Sequence, residues 1–457
     1  MIEWWDDEGL GSADPLGFPG YLDKLMQAED QGDTVHTGRT AHYVLIRGNF
    51  EVLGGSMGVL HGERVVRAFD RAIELGLPVV VVTASGGARL QEGMVALVQM
   101  ARTVAAARRH RDAGLLSLAV HTSPTTGGVF ASYGSLCCLS AVVEGAIIGF
   151  AGPRVVEQTV GESVHGRSHT AGTAYAHGLV DAVLEPEEVA GWIEAALGVA
   201  AAPLAFPLRV APQGRVPEGK GAWGEMQRAR WMGRFTGIDV AAELCDSWVE
   251  LRGTDPVIRA GLAVVGDRRV VVIANDRYSE TGRPTPSDYR LAQRAMALAG
   301  DLGMPLLTLV DTPGAEPGPD AENDGIAREI ARTFRALSGL RTPSVSVCVG
   351  EGGSGGALAL AACDRLLIQE HAVFSVIGPE GAAAILERDA THAPGVAEDL
   401  MLTSGDLLRL GIVDAVAPED LDGLRAAVVA ALDEAKPGDG LRRFDAASVA
   451  SLRRTKS

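Results

Sequence analysis

The sequence predicts an α/β protein built from two copies of one parallel-sheet fold. Apolar runs with the length of buried strands alternate with glycine-rich turns and helix-compatible stretches, as is typical of parallel α/β units. The 457 residues, 47% hydrophobic and 22% charged, exceed what one core usually supports. Two domains are therefore expected, and an internal repeat indicates that they share a fold.

The repeat consists of segments that recur at nearly constant spacing. GLPVVVVTASGGA (76–88) aligns with GMPLLTLVDTPGA (303–315) at an offset of 303 − 76 = 227. The glycine pair Gly127-Gly128 aligns with Gly355-Gly356 at 355 − 127 = 228. Two further pairs are FAGP (150–153) with VIGP (376–379), and GLVDAVLEP (178–186) with GIVDAVAPE (411–419).

The elements of the first half follow a regular order. They are a helix near 19–31, a β-rich run over 43–52, a helix over 62–75 capped by Gly76, a strand over 78–83, a helix from the turn at 85–93 to about 112, a strand over 115–122 and a helix near 187–199. The next stretch has closely spaced prolines at Pro203, Pro207, Pro212 and Pro217, a composition typical of a semi-rigid linker. The expected domains are 1–202 and 223–457, joined by 203–222.

Composition and charge exclude several function classes. With 41 basic and 58 acidic residues the net charge is −17, which argues against nucleic acid binding. The N-terminus has no secretory signal pattern, and the apolar stretch 135–153 is interrupted by Glu144, so we expect a cytoplasmic protein without a membrane span. The five cysteines contain no C-x-x-C pair and the ten histidines no H-E-x-x-H motif, so no bound metal is expected.

Each glycine pair follows a short apolar run and opens into small, helix-compatible residues. Such a turn presents free backbone N–H groups at a helix N-terminus, where they can hold an oxyanion. Glycine also allows a positive φ and lets a ligand approach closely. Gly127, Gly128, Gly355 and Gly356 are therefore the candidate catalytic positions, and two such turns suit chemistry that passes through two anions in one chamber.

Other motifs at the second glycine pair compete with this interpretation. GEGGSG (350–355) fits the dinucleotide pattern G-x-G-x-x-G, with Glu370 at the place of a ribose-binding acid. GGSGG (352–356) fits the hydrolase pattern G-x-S-x-G. The candidate triad partners are Asp364 or Asp389 and His371 or His392. Both patterns arise readily in Gly/Ser-rich turns, and the first half has no equivalent of either, so both are disfavoured.

The glycine turns and their surroundings resemble the carboxyltransferase component of biotin-dependent acyl-CoA carboxylases. The first half resembles the β subunit of the bacterial acetyl-CoA carboxylase carboxyltransferase through GGSMG (54–58), ASGGARLQEG (84–93), SPTTGGVFAS (123–132), IGFAGPRVVEQTV (148–160) and HGLVD (177–181). The second half resembles the α subunit through RPTPSDYRLAQR (283–294), DTPGAEPGPDAE (311–322), GEGGSGGALAL (350–360) and SVIGPEGAAAIL (375–386). The two subunits are thus expected to be fused in the order β then α.

The resemblance implies a crotonase-like (ββα superhelix) fold in both halves, with the active site between an N-half and a C-half across a dimer interface. It implies that Gly127 and Gly128 hold the enolate oxygen of an acyl-CoA thioester, and that Gly355 and Gly356 hold the ureido oxygen of biotin. The implied CoA-side residues are Gly86, Gly87 and Ala88, and the implied biotin-side residues are Gly314, Ala315 and Ala357. Arg89 is placed near CoA, although an arginine that starts a helix can equally be a structural ion-pair partner.

The chain departs from the family in features that concern its partners. It contains no four-cysteine zinc ribbon, no A-M-K-M biotinylation motif and no ATP-binding carboxylase domain, and a short segment at 274–283 replaces the basic loop of the α subunit. We therefore expect a biotin carboxyl carrier protein and a biotin carboxylase as separate chains, biotin carried on the former, and a homodimer of this chain.

The leading hypothesis is carboxyl transfer from carboxybiotin to a short acyl-CoA, with acetyl-CoA giving malonyl-CoA for fatty acid or polyketide biosynthesis. The first alternative is a malonyl-thioester decarboxylase that runs the same site in reverse. A non-catalytic CoA-binding scaffold is disfavoured because both glycine pairs are intact. The acyl length and the acyl carrier stay open at this point.

Overall fold

The computed structural model describes residues 1–5, 10–30, 33–161, 164, 166–202 and 216–451. The chain divides into two compact units, Met1–Ala200 (unit 1) and Ala201–Ser457 (unit 2), and each has its own eight-stranded sheet. Most of the predicted linker, residues 203–215, lies outside the described residues. The first helix of unit 2 begins at Gly221, so it includes the last two residues of the predicted linker, 203–222.

Unit 1 contains eight strands and eight helices in its described residues. The strands are β1 (Glu3–Trp4), β2 (Val35–Arg39), β3 (Val44–Gly48), β4 (Val79–Ser85), β5 (Ser117–Thr126), β6 (Leu139–Val143), β7 (Ile148–Gly149) and β8 (Ala182–Leu184). The helices are α1 (Tyr21–Asp30), α2 (Val59–Leu75), α3 (Gly93–Leu97), α4 (Gln99–Asp112), α5 (Gly127–Phe130), α6 (Pro153–Val160), α7 (Ala171–Ala176) and α8 (Val189–Leu197).

Unit 2 contains eight strands and eleven helices in the residues described. The strands are β9 (Ser247–Leu251), β10 (Ile258–Val265), β11 (Arg268–Asn275), β12 (Leu306–Thr312), β13 (Ser344–Gly353), β14 (Arg365–Gln369), β15 (Val373–Ser375) and β16 (Ala415–Ala417). The helices are α9 (Gly221–Ala229), α10 (Gly237–Leu244), α11 (Pro286–Leu302), α12 (Pro319–Asn323), α13 (Ile326–Ser338), α14 (Ser354–Ala361), α15 (Pro379–Leu386), α16 (Ala393–Asp399), α17 (Ser404–Arg409), α18 (Leu421–Glu434) and α19 (Asp439–Ala450).

The two sheets have the same topology. The first has the order β1-β2-β3-β4-β5-β6-β8 with β7 beside β5, and the second has the order β9-β10-β11-β12-β13-β14-β16 with β15 beside β13. In each sheet the first three strands are antiparallel and all later pairs are parallel. The carboxyl ends of neighbouring parallel strands lie at the same edge of a sheet. The turns that follow β4 and β5 are therefore close together, and so are the turns that follow β12 and β13.

Equivalent residues in the central strands and helices of the two units are separated by a constant number of positions in the sequence. In unit 1 Val79 pairs with Ser117, and in unit 2 Leu306 pairs with Ser344, so both partners shift by 306 − 79 = 227. Helices α2 and α11 have 17 residues each and start at the same offset. The predicted helix cap at Gly76 is confirmed by its left-handed φ of 63°.

The same register holds at the strand ends, and it corrects the alignment of the glycine pairs by one residue. Ser85 pairs with Thr125 as Thr312 pairs with Gly352, again at an offset of 227. The offset of 228 between the glycine pairs is therefore not the structural one. Position 127 corresponds to Ser354, and position 128 corresponds to Gly355.

The apolar runs form the cores as expected, but the helix predicted to reach residue 112 is interrupted. The strand valines Val79, Val80 and Val81 are fully buried. After the turn at 85–93 the chain forms a single turn over Leu90–Glu92 and the short helix α3 before α4 begins. The break occurs where Gly93 takes a φ of 53°, a conformation outside the right-handed helix.

Candidate functional site

The first candidate site is the corner between β5 and α5. Gly127 has a φ of 63°, and a Cβ atom there would lie 2.6 Å from the Cα of Gly87. Gly87 itself has a φ of 118°. The two predicted segments, 86–88 and 127–128, are therefore in direct backbone contact, which requires glycine on both sides.

The backbone N–H groups of this corner are not equally free. The N–H of Gly127 donates to the carbonyl oxygen of Phe150 at 2.7 Å, so it is not available to a ligand. The N–H of Gly86 donates to the Gly54 carbonyl, and that of Gly87 donates to a serine hydroxyl. Among the described residues, the N–H groups of Ala88 and Gly128 have no hydrogen-bond partner. The free donors of the first corner are thus Ala88 and Gly128, and Gly127 shapes the turn.

Arg89 lies in the interior of unit 1. Its side chain is fully buried, and Nη2 lies 2.9 Å from Oδ1 of Asp33. Nη2 also donates to the carbonyl oxygen of Ser56, Nη1 donates to the hydroxyl of Tyr21, and Glu92 lies 3.7 Å away. These contacts occupy the guanidinium group, so the structure favours the structural ion-pair interpretation of Arg89 over a contact with CoA.

The second candidate site is the corner between β13 and α14. Ser354 occupies the left-handed position with a φ of 59°. A Cβ atom at Gly355 would meet nothing within 4 Å, whereas one at Gly356 would lie 2.7 Å from the backbone nitrogen of Ala315. In the described part of the chain the N–H groups of Ala315, Gly355 and Gly356 have no partner, as expected at a helix N-terminus.

Two further biotin-side candidates have different roles at this corner. Gly314 has a φ of 125° and a Cβ atom there would lie 3.3 Å from the carbonyl oxygen of Gly353. Its N–H donates to the hydroxyl of Thr312, so Gly314 shapes the turn. Ala357 is fully buried, which directs its methyl group into the core.

A charged cluster that the sequence did not single out supports the second corner. Glu351 accepts two hydrogen bonds from Arg230, at 2.9 and 2.7 Å, and one from Arg277 at 2.8 Å. Burial alone would raise the pKa of Glu351, but the two guanidinium groups outweigh it and hold the pKa below its ordinary value. Arg277 also contacts Asp311 at 3.0 Å, and burial raises the pKa of Asp311 to about 6. In the sequence this cluster is visible only as two acidic residues close to glycines of unit 2, Asp311 in DTPG (311–314) and Glu351 in GEGG (350–353).

Unit 1 has a cavity where unit 2 has this cluster. The cavity has a volume of about 700 Å³ and is lined by residues at the carboxyl ends of β3 and β4 and in the middle of β5. Its lining includes Arg47, Phe50, Ala84, Thr122 and Ser123. The sheet of unit 1 is therefore open at these positions.

The hydrolase triad is not assembled in the described residues. Nδ1 of His371 lies 2.9 Å from a carboxylate oxygen of Glu225. Asp364 accepts hydrogen bonds from the backbone and hydroxyl of Ser344. Within the described ranges no histidine is hydrogen-bonded to Ser354, so the corner offers backbone donors and no activated serine.

Comparison with known proteins connects this geometry to a family. Residues 36–199 match the family model described as a carboxyl transferase domain, and residues 218–443 match the one described as acetyl co-enzyme A carboxylase carboxyltransferase-like. A relative from Salinispora arenicola, named acetyl-coenzyme A carboxylase carboxyl transferase subunits beta/alpha, is 43% identical over 443 residues, which are 90% of this chain and 77% of the relative. This chain belongs to the carboxyltransferase family of biotin-dependent acyl-CoA carboxylases. The predicted β-then-α order of this carboxyltransferase is confirmed.

Further relatives and solved structures agree. A Mycobacterium bovis protein named probable biotin-dependent acyl-coenzyme A carboxylase beta3 subunit is 36% identical over 428 residues, covering 91% of this carboxyltransferase and 86% of the relative. The transcarboxylase 12S structure with hydrolysed methylmalonyl-coenzyme A bound superposes with a TM-score of 0.76 at 22% identity, over 100% of this chain and 88% of that one. A single-chain, multi-domain long-chain acyl-CoA carboxylase gives a TM-score of 0.72 at 19% identity, over 94% of this chain and 44% of that one. The crotonase-like fold predicted for both halves is confirmed.

The chain is thus a biotin-dependent carboxyltransferase that acts on acyl-CoA, with biotin supplied by a carrier partner. In its described residues no group of three or more His, Cys, Asp or Glu side chains could hold a metal ion. Among the helices described here, none has the length and apolar character needed to cross a membrane. The cysteines are free thiols, and burial raises the pKa of Cys245 and Cys363 to about 12, so these two stay protonated at neutral pH.

Proposed function

We propose that this carboxyltransferase transfers a carboxyl group from carboxybiotin, held on a separate carrier protein, to acetyl-CoA and so produces malonyl-CoA. The observation that carries the proposal is the pair of glycine corners, each with backbone N–H groups that have no partner among the described residues. The names of the relatives support acetyl-CoA as the substrate.

In the proposed reaction the first corner binds the thioester. The N–H groups of Ala88 and Gly128 donate to the thioester oxygen, which becomes anionic when the α-proton leaves. Removal of one such donor typically costs about 2.7–4 kcal/mol of transition-state stabilisation, so the two backbone groups account for much of the acidity that acetyl-CoA needs. The cavity at the strand ends of unit 1 has room for part of the CoA.

The second corner binds the biotin ring. When bound, carboxybiotin supplies CO2 to the enolate carbon, and its ureido nitrogen accepts the α-proton. The N–H groups of Ala315, Gly355 and Gly356 hold the ureido oxygen, where negative charge develops as the C–N bond breaks. The unpartnered donors of this corner fit that oxygen, and the ion pairs of Glu351 keep the strand ends behind them in place.

We further propose a homodimer whose two domains per chain are 1–202 and 223–457. The division after Ala200 and the family matches to residues 36–199 and 218–443 support two domains that meet in this region, with the second beginning a few residues before 223. Exposed apolar side chains support the dimer because soluble monomers seldom expose large apolar patches. They are Leu90, Met94 and Val98 in unit 1, and Val376, Ile385 and Leu386 in unit 2. Light scattering of the purified chain measures the oligomer.

The function is tested by supplying the purified protein with carboxylated biotin carrier and labelled CO2 donor, and by measuring label in acetyl-CoA, propionyl-CoA and longer acyl-CoA esters. We expect transfer to acetyl-CoA with the highest kcat/KM. Preference for another ester would contradict the substrate, and transfer to none would refute the activity. Loss of CO2 from malonyl-CoA without biotin would identify the decarboxylase instead, and acyl-CoA binding without turnover would identify a scaffold.

A further inference from the structure

The loop before α11 places an arginine at the second corner. Nη1 of Arg283 lies 3.8 Å from the position that a Cβ atom of Gly314 would take, and the side chain is partly buried. Within the ranges that the structure describes, no carboxylate or carbonyl group is paired with this guanidinium group. The neighbouring arginines Arg230 and Arg277 differ, since each is paired with buried carboxylates.

Several groups near Arg283 can donate hydrogen bonds. The hydroxyl of Tyr289 is fully buried, has no partner in the described part of the protein, and lies 2.6 Å from the Cβ position of Gly356. The free N–H groups of Ala315 and of the N-terminus of α14 face the same corner. The nearby carboxylate of Glu316 accepts the N–H of Gly318 at 3.1 Å. Unpaired donors with an uncompensated positive charge indicate a site for a ligand that carries anionic oxygen.

In the first corner the equivalent position carries no charge. At the offset of 227 the counterpart of Arg283 is Ser56, whose hydroxyl accepts a hydrogen bond from Nε of Arg89 at 3.2 Å. Arg89 is itself neutralised by Asp33. A partly buried arginine at this position is therefore a feature of the biotin-side corner, although the two corners share their backbone architecture.

We propose that Arg283 pairs with the carboxylate of carboxybiotin and so distinguishes the carboxylated from the uncarboxylated biotin carrier at the second corner. This inference rests on the proposed function. The carbamate carboxylate is planar and anionic, and a guanidinium group matches it with two parallel N–H donors. An ammonium group has the charge without this geometry, so lysine replaces arginine only in part.

The test compares the carboxylated and the uncarboxylated carrier, which differ only in the carboxylate. For Arg283→Gln we expect KM for the carboxylated carrier to rise about 10- to 100-fold, the range for loss of a charged hydrogen-bonding partner. The inhibition constant of the uncarboxylated carrier and the KM for acetyl-CoA should change by less than about twofold. The midpoint of thermal unfolding should not change. Arg283→Lys should fall between the wild type and Arg283→Gln.

The matched control is Arg341→Gln, at an exposed position near the opposite, amino end of β13, which should leave all these values unchanged. Equal weakening of both carriers would overturn the proposal, because Arg283 would then contact the carrier protein, and so would the absence of any change. Binding of the two carriers without acyl-CoA keeps the test independent of turnover. If the wild type carboxylates no acyl-CoA, the proposed function fails, whereas the difference between the two carriers still decides the role of Arg283.

Discussion

At the scale of single residues, glycines that look alike in the sequence have different tasks. Gly127 has a positive φ, a backbone neighbour where its Cβ would be, and an N–H that is already bonded. Gly128 and Gly355 have ordinary φ values and free N–H groups. The first kind of glycine builds the corner, and the second kind leaves room for the ligand.

Gly355→Ala separates these tasks. A methyl group at position 355 meets nothing within 4 Å, and alanine favours a helix over glycine by about 1 kcal/mol, so stability should be equal or slightly higher. Carboxyl transfer should fall about 100-fold, because the methyl group occupies space that the ligand needs to reach the N–H donors. Thermal unfolding and transfer assays measure both effects.

The control for Gly355→Ala is Gly405→Ala, since this helical position in α17 also has open space around its Cβ. It should leave the rate of transfer unchanged. A Gly355→Ala enzyme with wild-type kcat and KM would show that the second corner binds no ligand oxygen.

Arg89→Gln tests the buried ion pair of unit 1. The substitution leaves Asp33 as an uncompensated buried charge, and breaking a buried pair in this way costs about 3–5 kcal/mol. Urea unfolding should show this loss, while KM for acetyl-CoA of the folded fraction stays near the wild-type value. The control is Arg102→Gln, whose part-exposed pair with Glu63 is worth less than about 1 kcal/mol. A stable Arg89→Gln enzyme with a raised KM would restore the CoA contact.

At the scale of elements, the equivalent helices α2 and α11 begin differently. The N-terminus of α11 has a capping box, in which Thr285 and Asp288 exchange side-chain and backbone hydrogen bonds. The N-cap of α2 is a glycine without a side chain, and Glu92 from another segment accepts the N–H of Val59 instead. One helix is thus capped by its own residues and the other by a residue distant in sequence. The capping residue Asp288 of α11 has His61 as its counterpart in α2, so this position has a different task in each unit.

His61 makes the stability of unit 1 depend on pH. Its two ring nitrogens lie 2.9 Å from the hydroxyls of Thr34 and Tyr133, and burial lowers its pKa to about 3. Below pH 6.5 the unfolded chain takes up a proton that the folded chain does not, so the free energy of unfolding should fall by about 1.4 kcal/mol per pH unit from this group. Burial lowers the pKa of His121 to about 4, which adds to the loss in the same direction.

His61→Gln should therefore lose stability less steeply than the wild type between pH 6.5 and 4.5. Urea unfolding followed over this pH range measures the difference in slope. The exposed His42, changed to Gln, is the control and should keep the wild-type slope. Parallel curves for His61→Gln and the wild type would contradict a neutral buried histidine.

At the scale of the whole molecule, two copies of one topology have diverged at their strand ends. At the offset of 227, Arg277 corresponds to Phe50 and Asp311 to Ala84. In unit 2 these positions belong to a charged cluster, and in unit 1 they line a cavity of about 700 Å³. The same fold therefore has a cavity at these positions in unit 1 and a buried charged cluster at the equivalent positions in unit 2.

Each unit has its own sheet and core, so each should fold without a peptide bond to the other. We expect residues 1–200 and 201–457, produced as two chains, to unfold cooperatively by circular dichroism and to restore carboxyl transfer when mixed. Neither part alone should transfer, because each contains one corner. An isolated unit without a cooperative transition would contradict two independent cores.

The sequence predicted most elements of the fold because their signals are local. Runs such as Val79–Val82 are apolar throughout, and Gly76 marks a helix end by its conformational freedom. The interruption near Gly93 was missed because helix-compatible residues lie on both sides of it. The charged cluster of Glu351 was missed for another reason, since its members come from segments far apart in the chain.

The sequence by itself determined the two-copy α/β architecture, the position of the two glycine corners and the family, since all three depend on residue types in a fixed order. Only the tertiary structure decided which N–H groups are free, because a donor such as that of Gly127 is used up by a carbonyl 23 residues away, at Phe150. The same holds for the arginines. Arg89 and Arg283 each lie beside a glycine corner. The spatial positions of Asp33 and Glu92 make the first a buried structural group, while the second keeps its charge for a ligand.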